Sequence, residues 1–374
     1  MAWDIVLFLG GMILVWLTLR DVFDTVVVPG GSRASLQVTR RVGRLLLAVW
    51  KHVRRGHRGI SHAFAPLVLV SSFVIWMSLL ALAFGLMAYA MRFRFEPPLE
   101  SLAEAIFTVG SAIVTIGLTG ENVLGIGRWI ILAGGFCGLA VMTMAVTYLL
   151  EVQNSITRRD IGIIKLNTSA GQPPSAVTLL ERYAAIRHER GLPEVLEEGR
   201  NWCATVRQSH SAHPSLIYFQ STSTGAGWPA ALGALLDLGL FAEFLIDDES
   251  LYGAAVLLRE EGERMAKELA LISSVERAAE KTDQSLLRTV ARRLAESGYK
   301  IRGDADYADM ARQRTDYSSC VDAIAAHLGK PTAPLIPSPE NRAGASAMSS
   351  YRRESRPRRT ASGKTAPKAT ARRR

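Results

Sequence analysis

Three long apolar runs dominate the first part of the chain, at residues 5–19, 67–91 and 129–150. With its flanking residues, each run is long enough to form a helix across a hydrocarbon core about 30 Å thick. From residue 158 onward, apolar residues recur at helical spacing among charged ones, which is the pattern of amphipathic helices around a core. The chain is therefore predicted to be an all-α membrane protein. It divides into an N-terminal span in residues 1–28, a second membrane unit in residues 66–157 and a helical cytoplasmic domain in residues 158–330.

A fourth apolar stretch, residues 101–120, lies between the second and third runs. Ser101 is a candidate N-cap with Glu104 three residues later, the spacing of a capping box. A helix over residues 102–114 is about 20 Å long, so it reaches only the middle of the membrane. Non-helical backbone at that depth is tolerated only where it is buried in protein or lines a water-filled path. A span, a re-entrant helix, a loop and a second span form the layout of a cation pore.

The segment between the first two runs, residues 29–65, is strongly basic. It holds eight Lys or Arg and no acid between residues 33 and 58. Apolar residues at helical spacing on another face predict a basic amphipathic helix on the inner membrane surface, in contact with anionic lipid. A voltage sensor is the alternative, but it needs arginines inside an apolar span, and the apolar runs have none. The positive-inside rule then places this segment and the C-terminus in the cytoplasm and the N-terminus outside.

The C-terminal segment, residues 331–374, is rich in Pro, Ser, Ala and basic residues. Residues 342–374 carry eleven Lys or Arg against the single acid Glu354, and the excess equals the net charge of +10. Such a composition predicts a disordered tail that contacts anionic lipid head groups. No folded module that reads nucleic acid accompanies it.

The cytoplasmic half offers little chemistry. Residues 228–246 are nearly all apolar, but Asp237 and Glu243 within them favour a buried core helix over a further span. His210 and His213 flank a predicted break and are interpreted as capping or surface residues, not as a metal pair. Three isolated cysteines predict neither a disulfide framework nor a zinc site. No catalytic motif is present, so neither enzyme activity nor a cofactor is predicted.

The order of these elements, with Thr115-Ile116-Gly117 at the end of the re-entrant helix, resembles the potassium-channel superfamily, whose filter typically reads Thr-Val-Gly-Tyr-Gly-Asp. More narrowly, the chain resembles bacterial ion-channel proteins with an extra N-terminal span, one pore unit and a helical cytoplasmic tail. The resemblance covers about residues 10–245 and includes the segments at 19–29, 170–176 and 213–219. It implies a homotetramer in the inner (plasma) membrane that conducts potassium or another monovalent cation.

The resemblance also implies roles for individual residues. Glu121 is expected at the outer mouth, and Gly138 is expected to be a hinge of the last span, with close helix packing as the equal alternative. The residues expected to bind the permeant ion are those of the filter: Thr115, Ile116, Gly117, Leu118, Thr119 and Gly120.

The sequence departs from the family filter at its outer end. Leu118 stands where the family has an aromatic residue, and Thr119 stands at the second glycine. Successive carbonyls need some residues at positive φ, which strains a β-branched residue such as Thr119 unless Gly120 takes over the turn. Potassium selectivity is therefore open. The alternatives are a weakly selective pore, a non-conducting membrane sensor, and a membrane-anchored scaffold that acts through the helical domain.

Overall fold

The computed structural model describes residues 2–28, 41, 64–118, 122–219, 224–276 and 281–337. About 79% of the described residues are helical, so the prediction of an all-α protein is confirmed for this part of the chain. Most of the predicted basic helix at residues 29–65, the tail beyond residue 337, and Thr119, Gly120 and Glu121 lie outside the described residues.

Helices follow one another along the described ranges, joined by short turns. A two-stranded antiparallel ribbon pairs β1 (Phe95–Glu96) with β2 (Asn122–Val123). Short 3₁₀ turns lie at Arg92–Arg94, Glu189–Gly191 and Pro214–Tyr218. The helices are α1 (Ala2–Val26), α2 (Phe64–Ala90), α3 (Leu102–Ile113), α4 (Gly127–Ala170), α5 (Ala176–Ala185), α6 (Leu192–Ala212), α7 (Gly227–Phe244), α8 (Glu249–Ser273), α9 (Gln284–Glu296) and α10 (Tyr307–Leu328).

Three of these helices, α1, α2 and α4, are long and apolar enough to cross a membrane. They confirm the prediction of three apolar helices long enough to span a membrane. Glycines sit where these helices cross. A Cβ on Gly11 of α1 would lie 2.6 Å from the carbonyl oxygen of Ala83, and a Cβ on Gly85 of α2 would lie 2.5 Å from Ile106. Close approach through small residues is the usual way in which helices pack in lipid.

The short helix α3 packs between α2 and α4. Its residues Val109 and Ile113 are buried together with Leu80 and Phe84 of α2 and Ile130 of α4. α3 therefore belongs to the core of the membrane part, although its 12 residues span only about 18 Å.

The C-terminal helices α5–α10, which the sequence predicts to form the cytoplasmic domain and which are called the soluble domain below, are built around α7. Sixteen of the 18 residues of α7 are buried, so the prediction of a core helix at this position is confirmed. The buried carboxylate of Asp237 is satisfied by α10, because Arg314 Nε donates to it at 2.9 Å and the Tyr317 hydroxyl donates at 2.6 Å. Asp237, one of the two acids that favoured a core helix over a fourth span, is thus a hydrogen-bond acceptor in the core of the domain.

Helix α4 joins the two parts without a break. Its 44 residues extend over about 66 Å, and the predicted domain boundary after residue 157 falls inside it. Beyond the apolar part, Arg159 is 2% exposed. Its guanidinium donates to the carbonyl oxygens of Leu216 at 3.3 Å and Phe219 at 3.0 Å. The turn Pro214–Tyr218 is thereby held against α4, and Leu216 also packs on Leu69 at the start of α2.

Candidate functional site

Helix α3 is fixed at its N-terminus by a cap that the sequence predicted. The Ser101 hydroxyl accepts a hydrogen bond from the backbone N–H of Glu104 at 3.2 Å. The Glu104 carboxylate accepts in turn from the backbone N–H of Glu100 at 2.6 Å, not from that of Ser101. The first bond satisfies an N–H group that a helix end leaves unpaired, and the second ties the residue before the cap to the first turn. The start of α3 is therefore set by its own sequence.

The C-terminus of α3 ends in a Schellman motif. The backbone N–H of Ile116 donates to the carbonyl oxygen of Ser111 at 2.8 Å, and that of Thr115 donates to Ala112 at 3.0 Å. Thr115 takes the left-handed position of this motif with φ +62°, which glycine usually occupies. A β-branched residue there is a genuine outlier and is held in place by the surrounding contacts.

Ser111 folds the loop back over the helix end. Its carbonyl oxygen also accepts from the N–H of Gly117 at 3.0 Å. Its hydroxyl lies 2.8 Å from the carbonyl oxygen of Thr108 and 3.2 Å from that of Leu118. Sequence reasoning missed this residue; the signal was a serine in the last turn of a largely apolar helix. Leu118, predicted as a filter residue, therefore has its carbonyl oxygen turned toward α3.

Three other carbonyl oxygens point away from α3. In a trans peptide the N–H and C=O groups point in opposite directions. Because the N–H groups of Thr115, Ile116 and Gly117 all point back to the helix, the carbonyls of Val114, Thr115 and Ile116 point outward. Within the described part of the chain, none of these three oxygens accepts a hydrogen bond. Of the predicted filter residues, Thr115 and Ile116 thus share with Val114 one surface of outward carbonyls at the negative end of the α3 dipole.

The side chains of this loop are exposed although they are apolar. Ile116 is 64% exposed and Leu118 is 59% exposed. Gly117 has φ +70°, and a Cβ there would meet nothing within 4 Å. The loop is therefore an exposed surface of the single chain, beside the apolar helices α2 and α4.

Gly138 contacts the end of α3. A Cβ at this position would lie 2.2 Å from the carbonyl oxygen of Ile113. Gly134 and Gly135 face the same helix: a Cβ on Gly134 would lie 3.1 Å from Val109, and a Cβ on Gly135 would lie 3.4 Å from the carbonyl oxygen of Ala112. α4 is continuous through all three glycines. This geometry supports the close-packing interpretation of Gly138, and its role as a hinge stays a prediction.

The two histidines near the end of α6 differ from each other. His213 lies at the C-cap, and its ring packs edge-on against Tyr148 with centroids 5.1 Å apart. His210 is 1% exposed, so its prediction as a capping or surface residue was wrong. Burial, with a smaller effect of the Arg159 charge, lowers the pKa of His210 to about 3. Among the described residues, no group of three His, Cys, Asp or Glu side chains could hold a metal ion.

No protein-family model, no curated protein and no solved structure matches this chain. The resemblance to ion channels therefore stays a prediction from the sequence, and functional conclusions depend on the geometry of the chain itself.

Proposed function

We propose that the protein is a subunit of a membrane cation channel that conducts potassium or another monovalent cation through the loop after α3. The observation that supports this proposal best is the set of outward carbonyl oxygens of Val114, Thr115 and Ile116. Oxygen dipoles that replace the hydration shell are the means by which cation filters bind their ions. The C-terminal end of α3, directed at the same place, adds further negative potential.

Such a loop needs neighbours before it can form a pore. A single chain provides carbonyl oxygens on only one side of an ion path, and that surface is exposed in the single chain. A cyclic homo-oligomer would bring several copies around one axis, and the family resemblance implies four. The outward face of α4 carries Leu132, Phe136 and Leu139, which are 61%, 71% and 54% exposed. These side chains would contact lipid or the next subunit.

The proposed topology puts the N-terminus outside and the soluble domain in the cytoplasm. Asp4 near the start of α1 pairs with Arg92 after α2 at 2.7 Å, so these two ends lie together. Val26, at the other end of α1, packs against the cluster that includes Tyr148 and Leu216, beside the soluble domain. The basic segment 29–65 follows that inner end, in agreement with the positive-inside rule.

Flux measurements on purified protein in liposomes test the proposal, with potassium and sodium supplied in separate experiments. The decisive variant is Gly117→Ala. Alanine at φ +70° costs about 1–2 kcal/mol, and the chain can relieve this strain by turning the neighbouring peptide, which redirects the Ile116 carbonyl. We therefore expect Gly117→Ala to abolish flux.

Gly125→Ala is the matched control. Gly125 has φ +57° and open space around its Cβ position, so the backbone strain is similar, but Gly125 lies outside the loop. Retained flux in Gly125→Ala with loss in Gly117→Ala supports a filter. Equal flux in both variants would contradict it, and equal potassium and sodium flux in the wild type would exclude selectivity.

A non-conducting membrane sensor or scaffold is the second candidate. It is favoured by the carbonyl of Leu118, which is bound to the Ser111 hydroxyl and not directed outward. It is also favoured by the docking of the turn Pro214–Tyr218 on α2 and α4, which connects the soluble domain to the membrane helices. Absence of any flux from a verified oligomer would support this candidate.

A further inference from the structure

The soluble domain contains a cavity of about 350 Å³ between α4, α5, α6 and α7. Its size lies at the lower end of the range of about 300–1,000 Å³ that small-molecule sites occupy. Every residue of its lining belongs to the described part of the chain. Its lining shares no residue with the loop after α3, so the site is distinct from the proposed filter.

The floor of the cavity is apolar. It is formed by buried side chains that α4, α5 and α7 contribute, and the partly buried Val195 of α6 completes it. The buried residues of this floor are Leu166, Leu179, Ala231 and Leu235. Such a surface favours the apolar body of a ligand over water.

Two aromatic rings form the walls. The indole of Trp202 is fixed, because its Nε1 donates to the carbonyl oxygen of Arg159 at 2.9 Å. Gly162 makes room for that ring, since a Cβ there would lie only 2.1 Å from it. Tyr183 stands on α5, and burial raises the pKa of its hydroxyl, which keeps the phenol neutral. Rings that are held in place before binding reduce the entropic cost of binding a flat ligand.

The mouth of the cavity carries no net charge. Lys165 of α4 and Glu198 of α6 pair across it at 3.1 Å and are 62% and 55% exposed. The hydroxyl groups of Thr168, Ser169 and Tyr183 complete the polar side of the lining. An anion would be attracted by Lys165 but repelled by Glu198, and a cation the reverse. A neutral molecule leaves the ion pair intact and finds hydroxyl partners.

We propose that this cavity binds a small, uncharged, planar aromatic molecule with one hydrogen-bonding group, of the size of an indole. The apolar ring would lie on the floor between Trp202 and Tyr183, and the hydrogen-bonding group would face the hydroxyl groups at the mouth. A few well-placed polar groups on an apolar cavity are the usual composition of a small-molecule site.

Equilibrium dialysis of the full-length protein in lipid nanodiscs tests the proposal with three probes that share one ring. Indole is neutral, indole-3-acetate is an anion and L-tryptophan is a zwitterion. The variant Val195→Trp fills the cavity, and Thr168→Trp covers its mouth from an exposed position. The control Ile186→Trp introduces the same ring at a site that is 61% exposed and outside the cavity.

We expect wild type and Ile186→Trp to bind indole equally, and Val195→Trp to bind it about tenfold more weakly or worse, a loss of about 1.4 kcal/mol. Thr168→Trp is expected to show the same loss even if Val195→Trp fails to fold. Equal uptake of indole by all four proteins would overturn the site, because it would reflect partition into the nanodisc. Binding of L-tryptophan or indole-3-acetate as tightly as indole would overturn the neutral class of ligand.

Discussion

Replacement of Gly138 by alanine tests how α4 is held against α3. The added Cβ would lie 2.2 Å from the carbonyl oxygen of Ile113, 2.8 Å from its Cγ2 and 2.9 Å from its carbonyl carbon. Real Cβ atoms essentially never come closer than 3.0 Å to a neighbour. Two of the three atoms are backbone, which cannot rotate away as a flexible side chain does. α4 and the end of α3 must therefore separate.

The expected cost follows from two opposing effects. Alanine in place of glycine within a helix gains about 1 kcal/mol from helix propensity. Overpacking in a close-packed core costs about 1–3 kcal/mol. Gly135→Ala on the same helix gains the same helix propensity, so this effect cancels when the two variants are compared. Its Cβ would lie at an ordinary 3.4 Å from the carbonyl oxygen of Ala112, so it adds no overpacking. We expect Gly138→Ala to be less stable than Gly135→Ala by the overpacking cost alone, about 1–3 kcal/mol.

Chemical unfolding of the full-length protein in detergent, followed by circular dichroism, measures this difference. Gly10→Ala is a second control, since nothing lies within 4 Å of its Cβ position. Equal free energies of unfolding for Gly138→Ala and Gly135→Ala would refute the close-packing interpretation. Equal stability together with altered ion flux in Gly138→Ala alone would favour the hinge instead.

Further predictions concern the soluble domain and the loop. Asp237→Asn leaves the partly buried Arg314 without its buried anion, so the free energy of unfolding should fall by about 3–5 kcal/mol. Glu260→Gln removes an exposed pair and should cost under about 1 kcal/mol. Similar losses from both variants would contradict the role of the Asp237–Arg314 pair. Burial lowers the pKa of His210 from 6.5 to about 3 in the folded protein, so the unfolded chain binds the proton more readily. The free energy of unfolding should therefore fall as the pH drops from 6.5 toward about 3, by up to about 1.4 kcal/mol per pH unit. Unfolding at several pH values should show this loss in the wild type and in the exposed control His188→Phe, but reduced in His210→Phe; parallel curves for all three proteins would refute it. Gly117→Ala should lose ion flux while Gly125→Ala retains it, as measured in liposomes.

Much of the fold could be predicted because it depends on local sequence. The apolar runs identify the three long helices through length and composition alone. Ser101 and Glu104 fix the start of α3 through bonds to backbone groups within four residues. The helix α7 is apolar on all sides, which a helix in water tolerates only when it is buried. The i, i+4 pairs Glu260–Arg264 and Glu263–Lys267, each at 3.2 Å, likewise depend on spacing within one helix.

The candidate site was predicted only in outline. The sequence indicated that a loop with Thr115 and Gly117 follows a half-length helix. It did not indicate that Ser111 would hold that loop, or that the carbonyl of Leu118 would turn inward while those of Val114 to Ile116 turn outward. These directions follow from hydrogen bonds in three dimensions, and no pattern of hydrophobicity encodes them.

The sequence by itself determined which segments are apolar enough to enter a membrane, where the short helix begins and which helix forms the core of the soluble domain. Only the tertiary structure decided the partners of the buried polar groups. Arg314 reaches Asp237 from 77 residues away, and the carbonyl that accepts from Arg159 at 3.0 Å is 60 residues distant. The same holds for the burial of His210 and for the cavity beside Trp202. The physical reason is range: helix propensity, capping and hydropathy act within a few residues, whereas burial and hydrogen-bond pairing depend on which helices meet.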